Sequence, residues 1–540
     1  MMFMKFKVYS VFMILRYILI SVTCSAMVSG LTLACFGPPR PDLLPEIQEE
    51  EVPSLEQVVS DLKSQNPRTR AQAILELASR NERKFIPIGR EWMRSSEEIT
   101  KGPAILALGI WKDRTSLPEI LNFLHPKSGI DIGTVLEAIA RMEDPQAGNR
   151  VANLLNQEDS NIRLLAVDTL VRINARQSGK IILAFARSNK DTDKAKTFVM
   201  ALGKLNVIEA EDYLIDLASH SEPGPTLAAT YLALGKIRSK KSISLLVKAL
   251  QADFDKGREN STIALVDIKD PKILPLVLPI LENQDKEIRY RAADVLIGVP
   301  DPGFSIRILE VLTKGKTLAK APASHVLGRI KFSKAREEIE KTLLDSNIPD
   351  REIIAQSLGY LGDKKSIPVL VKVLQEDQTE ARYGAVWALG AIGSEEGLPY
   401  VEEACKSKDQ KLAKIASESL GMIASPKSIS LLDKKTEDFP DLAPITLAAI
   451  TSIPGEESRK ILEKYAESEN INLHQVAVSQ LGAKKDPASV PVLIKLLQEN
   501  STSRNRKLIV SALRSVTGLK FASKNEWVNW YIVNFSKKHP

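Results

Sequence analysis

The sequence predicts an all-α fold, an α-solenoid of about fifteen stacked helix pairs. Two observations carry this. First, 44% of the 540 residues are hydrophobic but only 5% are aromatic, so the apolar content comes largely from small and aliphatic residues. Such residues suit tightly packed helices better than sheets. Second, one short motif recurs along the body. Ala107-Leu108-Gly109, Ala201-Leu202-Gly203, Ala233-Leu234-Gly235, Ser357-Leu358-Gly359, Ala388-Leu389-Gly390 and Ser419-Leu420-Gly421 are copies of it.

The central apolar residue of the motif falls at Leu77, Leu108, Ile139, Leu170, Leu202, Leu234, Leu265, Leu296, Leu327, Leu358, Leu389, Leu420, Ile450, Leu481 and Leu513. The fourteen intervals average about 31 residues, and none departs from that by more than one residue. A fixed period of this length is the signature of a solenoid. Within one unit, Ile367, Leu370, Val371 and Leu374 follow the i, i+3, i+4, i+7 helical pattern, with Ser366 as cap and Pro368 in the first turn. A polar turn follows, and then a second helix over 380–392 that buries Ala385, Val386 and Leu389 and stops at Gly393. Two such helices cannot bury their apolar faces alone, whereas a stack can.

The N-terminus has a different character. Lys5, Lys7 and Arg16 precede an apolar stretch from Tyr17 to Ala34. That arrangement predicts a signal peptide over 1–34. Leu33-Ala34-Cys35 resembles the end of a bacterial lipobox, which implies lipidation at Cys35. Thr32 departs from the usual leucine there, and Met13 is an alternative start. A non-lipid signal peptide and an uncleaved anchor are the rival readings. Residues 35–53 hold Pro38, Pro39, Pro41 and Pro45, then Glu46, Glu49, Glu50 and Glu51. This composition predicts an extended, solvated tether. The repeat array is expected over 54–518.

A last helix is expected over 519–540. Ser523 and Glu526 match a capping box. Trp527, Trp530, Tyr531 and Phe535 follow on one helical face, suited to closing the open end of a stack or, alternatively, to holding a ligand.

The charge balance excludes little. The chain has 74 Lys and Arg against 67 Asp and Glu, and three of the bases lie in the first 35 residues. That excess gives no global case for nucleic acid. Of Cys24, Cys35 and Cys405, only the last lies in the body, in the register of Leu374, where a buried small hydrophobe is expected.

Asp or Asn, a basic residue, two small residues, Ala-Leu-Gly, and then Asp-x-x-Ser-Ile-Pro-x-Leu resemble the HEAT repeat. The 31-residue period is similar to the short bacterial subtype named after phycobilisome lyases. The resemblance covers roughly Ser54 to Thr517. It implies a right-handed superhelix with second helices on the concave side, and mostly scaffold functions.

Stacking turns equivalent positions into columns. Seven residues before the motif leucine stand Arg70, Lys101, Arg163, Arg258, Arg289, Lys320, Arg351, Arg382 and Arg506. Four residues earlier stand Asn66, Asp159, Asp191, Asp285, Asn347, Asp409 and Asn470, placed to cap each second helix. The resemblance implies that the Arg column, including Arg163, Arg289, Arg351 and Arg382, forms a structural ladder between repeats. A phosphate-tracking stripe is the other reading.

Two before the leucine the column is irregular. It reads Met200, Leu232, Ile263, Asp294, His325, Gln356, Trp387 and Glu418, which no core would accept in equivalent sites. One turn earlier lie Tyr290, Glu352 and Tyr383. Tyr290, Asp294, His325, Glu352, Gln356, Tyr383 and Trp387 are therefore the candidate partner-binding residues. Trp387 has a second reading, as packing over a neighbouring helix.

No catalytic residue, metal site or cofactor is expected. His125, His220, His325, His474 and His539 are scattered and none is followed by Glu, as di-iron HEAT hydroxylases require. No Walker-type loop is present, and the glycines read as helix stops. The expected function is a non-catalytic scaffold, exported and lipid-anchored to a bacterial membrane, facing the periplasm or cell surface. Its partners are proteins, with no nucleic acid and no small-molecule substrate. The alternative is a HEAT-like enzyme of lyase or hydroxylase type, or a nucleic-acid binder, with the signal misread.

Overall fold

The structure, a computed structural model, describes residues 53–189, 192–499, 503–521 and 523–535. The signal segment, Cys35, almost all of the tether, the Asp191 cap and His539 lie outside these residues.

Among the described residues the regular structure is helical, with no strand. Fifteen second helices run from Pro67–Ser79 to Ser503–Thr517, each preceded by a first helix that is shorter or, for Ile429–Asp438 before Ala443–Ser452, of equal length. In one unit the first helix is Ile367–Glu376, burying Ile367, Leu370 and Val371. The second helix is Ala381–Ile392, burying Ala385, Val386 and Leu389. It ends at Gly393 with φ +68°, a left-handed residue that stops the helix.

Ser366 does not cap as the sequence suggested. A short 3₁₀ turn, Lys364–Ser366, precedes the helix, and Asp363 caps that turn by accepting from the Lys365 amide. The Ser366 hydroxyl instead donates to Glu340 Oε1 of the preceding first helix at 2.7 Å. Ser428 does the same to Glu402 Oε1 at 2.9 Å, so this serine stitches one repeat to the one before.

Each second helix packs along the next, as Pro225–Lys236 does on Asp255–Ile268 and Arg351–Leu361 on Ala381–Ile392. Consecutive first helices scarcely touch. A stack whose second helices sit closer together than its first helices must curve toward the second helices, which therefore form its inner face.

The motif glycine makes this close approach possible, which corrects its reading as a helix stop. A Cβ on Gly235 would lie 2.5 Å from Ala264 Cα, and one on Gly390 would lie 2.5 Å from Ser419 Cβ. The glycine of one unit thus faces the small residue that opens the motif of the next. Ala-Leu-Gly is small on both contacting sides and apolar in the middle. The helix stop lies three residues beyond the motif glycine, and there L-residues commonly take the left-handed conformation: Lys112, Arg238, Lys269, Lys331, Ala424 and Lys485 all have φ between 53° and 56°. Pro300 and Pro454 occupy this position in two units, and their rings forbid that conformation.

One continuous core runs between the two rows of helices, from Val58 to Trp527. Cys405 is fully buried within it. At the C-terminal end, Ser523 and Glu526 form a capping box on Lys524–Trp530. Trp527 is buried and meets Trp530 at 5.9 Å between ring centroids. Phe521, which the sequence reading passed over, lies 5.0 Å from Trp527 and completes the cluster.

Candidate inner-face binding site

The Arg column sits at the N-terminal ends of the second helices, half-buried or buried beside the turns. Its side chains do two jobs. They donate to carbonyls of their own turn: Arg163 to Gln157 and Glu158, and Arg289 to Asn283 and Gln284. They also reach acids of later repeats: Arg351 to Asp377 at 2.5 Å, Arg382 to Asp409, and Arg258 to Glu287 at 3.3 Å. Buried at 4–6% exposure, Arg163, Arg258 and Arg289 have no free fork to offer a phosphate.

Caps fill the turns as well. Asp285 accepts from the Glu287 and Ile288 amides, and Asp409 from those of Lys411 and Leu412. Asn347 breaks the series. Pro349 holds its predecessor out of helical geometry, so the helix starts only at Arg351. Asp350 precedes it in the left-handed conformation, with φ 57°.

Asp350 is a hub. It accepts from Lys286 Nζ at 2.6 Å and from the Tyr290 hydroxyl at 3.3 Å, and lies 3.7 Å from Arg289 Nη2. Burial, with Asp350 adding to it, raises the Tyr290 pKa.

The irregular column opens onto the inner face, though not as a row of free side chains. Asp294 and Glu418 are exposed, while His325, Gln356, Tyr383 and Trp387 are half-buried. Trp387 is not the exposed anchor the sequence suggested. Its ring covers Gly359 of the preceding helix and meets Tyr360, with centroids 5.0 Å apart.

Tyr360 joins the candidate residues into one line. Ring centroids run Tyr290 to His325 at 6.2 Å, His325 to Tyr360 at 6.0 Å, and then on to Trp387. The sequence reading missed Tyr360 because it stands two after the motif leucine, not two before. The available signal was spacing: Tyr290, His325 and Tyr360 are 35 residues apart, one repeat plus one helical turn. A row climbing one turn per repeat crosses the inner face obliquely. The Arg329 guanidinium lies over the Tyr360 ring at 5.0 Å.

Tyr383 belongs to a neighbouring cluster. Its hydroxyl donates to Asp409 Oδ2 at 2.8 Å, and Lys411 Nζ stands 4.1 Å from its ring centroid. That hydrogen bond, with the Leu412 amide and Arg382, holds the Asp409 carboxyl below its usual range.

Beside the aromatic row lie polar groups with nothing to hold. His325 Nδ1 is buried and has no hydrogen-bond partner. Burial, reinforced by Arg329, pushes the imidazole pKa down to about 4, so the ring is neutral near pH 7. Asp294 and Glu352 form no ion pair among the described residues, and burial raises the pKa of the half-buried Glu352 carboxyl.

Among the described residues no group of three or more His, Cys, Asp or Glu could hold a metal, and no helix is long and apolar enough to cross a membrane.

The family model for HEAT repeats matches residues 179–266, 335–421 and 378–442. No curated protein matches the chain. Among solved structures, the karyopherin Kap121p bound to the extreme C-terminus of the protein phosphatase Cdc14p aligns at TM-score 0.39 and 12% identity, over 91% of this chain and 66% of that one. A second structure of Kap121p aligns with the same score and identity over 65% of its chain, so this chain spans just under two thirds of that protein. Kap95p, in a structure with RanGDP, aligns at 0.42 and 13%, over 89% of this chain and 80% of that one. These alignments are loose, and no function of those proteins transfers to this chain. The matched repeats, set within fifteen units of one geometry, make this chain a HEAT-repeat protein.

Proposed function

We propose that this chain is an exported, lipid-anchored scaffold that binds a protein partner on its inner face, at the oblique aromatic row of repeats eight to eleven. The solenoid fold fits a protein-binding scaffold. What supports this site is the coincidence of the row Tyr290–His325–Tyr360–Trp387 with a buried polar atom, His325 Nδ1, that has no hydrogen-bond partner among the described residues, and with two carboxylates, Asp294 and Glu352, that form no ion pair there. Unsatisfied polar atoms beside half-buried rings are costly in a finished surface, and a partner segment would satisfy them.

The anchor reading rests on Cys35 and the segment before it. Radiolabelled palmitate should enter the protein and disappear in Cys35→Ala; label persisting in that variant would sink the anchor. For the binding site, a photo-crosslinking amino acid at Gln356, on the inner face, should give a discrete adduct in intact cells. The same probe at Lys248, on the first helix Ile243–Ala249, should give none. Adducts at both positions, or at neither, would refute the site.

A further inference from the structure

The steps between successive second helices are of two kinds. At eight of them the motif glycine is buried against the next second helix. A Cβ on it would lie within 2.9 Å of that helix, as one on Gly109 would of Ala138 and one on Gly328 of Ser357. Ala78 with Ala107 makes one more step that is small on both sides. At the other five steps a larger side chain occupies at least one of the same two positions. Ala140 with Thr169 and Val171 with Ala201 flank repeat four. Val266 with Val295 and Ile297 with Val326 flank repeat eight, and Thr451 with Gln480 joins repeats thirteen and fourteen. Second helices pack closely at every small step and more loosely at each of these five.

Where backbone meets backbone, hard contact fixes both distance and angle, and the short-range attractions of a close-packed interface are fully realised. Where methyl groups hold two helices apart, fewer atoms touch and the interface contributes less. Exposure follows the same division. The eight motif glycines are buried, whereas Val266, Ile297 and Thr451 are half-buried and Val171 is 36% exposed. Solenoid stability is carried chiefly by nearest-neighbour interfaces, so a stack yields first where they are weakest. Repeats four and eight are weakly held on both sides.

The aromatic row is laid across one of these places. Tyr290 belongs to repeat eight, and His325 and Tyr360 to repeats nine and ten. The Tyr290–His325 contact, 6.2 Å between centroids, therefore crosses a loose step. Asp350 of repeat ten reaches over the same step to Lys286 and to the Tyr290 hydroxyl. We infer that repeats four and eight are elbows at which the array bends, and that Asp350 latches the second elbow in the arrangement that makes the aromatic row continuous. Sliding between repeats eight and nine parts Tyr290 from His325, and the latch opposes it. A partner that spans the row binds the latched arrangement and so stabilises it. This coupling rests on the inner-face site proposed above; the elbows do not.

Pulsed electron-spin distance measurements on the full chain test this, using spin-labelled unnatural amino acids that leave the native cysteines alone. Lys241, Lys334 and Lys427 are exposed and hold the same place in the unit, three repeats apart. The pair Lys241–Lys334 spans the elbow at repeat eight, whereas Lys334–Lys427 spans glycine steps alone. Thr115 and Glu209, also exposed and three repeats apart, span the elbow at repeat four. Each elbow pair should give a distance distribution at least about twice as wide as the glycine-step pair, as hinges between rigid blocks require. Asp350→Ala should widen Lys241–Lys334 further and leave Lys334–Lys427 unchanged. It should also lower the adduct yield from the probe at Gln356 by at least about threefold, a modest population shift. If Asp350→Ala folds poorly, Lys286→Gln removes only the outer hold and should act in the same direction. Equal widths in all three pairs would overturn the elbows. An unchanged distribution in both variants would overturn the latch, and an undiminished adduct yield despite widening would overturn the coupling. Wide elbow pairs with no adduct in the parent would refute the site and leave the elbows standing.

Discussion

Asp350 Oδ1 lies 2.6 Å from Lys286 Nζ, although 64 residues and one whole repeat separate them. The intervening second helix, Thr317–Arg329, begins after Lys316, which supplies no acidic cap. Asp350 therefore bridges over it to the Lys286, Arg289 and Tyr290 side chains of the repeat before. Arg289 is only 4% exposed, so losing the carboxylate leaves a buried guanidinium without its counter-charge. Asp350→Ala should cost about 2 kcal/mol in chemical denaturation, despite removing a single surface-turn side chain. It should also bring the Tyr290 hydroxyl back toward ordinary titration, read by ultraviolet absorbance. An unchanged midpoint would mean that the hub contributes nothing.

Trp387 and Gln356 occupy the same column and should behave differently. The tryptophan packs over Gly359 and against Tyr360, so Trp387→Ala removes buried apolar area and should cost about 2 kcal/mol, whether or not a partner is present. Gln356 makes no side-chain hydrogen bond among the described residues, and Gln356→Ala should leave the melting temperature within about 1 °C, since surface changes away from special features are near neutral. Partner capture lost in Gln356→Ala at unchanged stability would mark the face as functional. Capture retained in that variant and in Glu352→Gln would remove the aromatic row from consideration.

The fold was legible because a repeat multiplies weak signals. No single Ala-Leu-Gly is specific, but six copies of the motif set among fifteen apolar positions in register fix the unit and its two helices. The reason for the glycine was not legible: helix stop and close approach use the same residue, and only the distance from Gly235 to Ala264 separates them. The site was half legible. Reading down one column found His325 and Trp387 but not Tyr360, because side chains in neighbouring repeats meet along a diagonal as well as straight across. Asp350 was hidden for another reason. Pro349 shifts the helix start, so the acid that matters is not in the register that predicted Asn347.

His325 should make stability pH-dependent. Its folded pKa, about 4, lies below the ordinary value of 6.5, because burial and Arg329 disfavour the imidazolium. Between those values the unfolded chain binds the proton and the folded chain does not. The contribution is therefore fully present above about pH 6.5 and is lost as pH falls toward 4. It should amount to about 2 kcal/mol, a discounted figure for a half-buried ring. Urea midpoints at pH 4.5 and 7 measure it: His325→Phe, which keeps an aromatic ring between Tyr290 and Tyr360, should show a flatter dependence than the parent. Parallel profiles would place the proton elsewhere.

Two glycine-to-alanine changes in second helices should differ sharply in size. Alanine is the better helix former by about 1 kcal/mol, so a site open to a methyl group can gain stability. Gly102, inside Glu98–Ile110, has nothing beyond its chain neighbours within 4 Å of an added Cβ, but Pro103 follows it and disfavours helical geometry in a residue with a Cβ, so Gly102→Ala should leave the unfolding midpoint near that of the parent. Gly235 lies inside Pro225–Lys236, where the same methyl would sit 2.5 Å from Ala264 Cα and 2.8 Å from its Cβ. Backbone cannot yield as a flexible side chain does, so the two helices must separate. Gly235→Ala should lose about 2–3 kcal/mol net, the overpacking penalty exceeding the propensity gain. Because each second helix packs chiefly along its immediate neighbours, the loss should appear first as local opening around repeats six and seven, seen as faster amide exchange in 225–268 with distant repeats unaffected. A stabilised Gly235→Ala would show that the second helices are not held together through this contact.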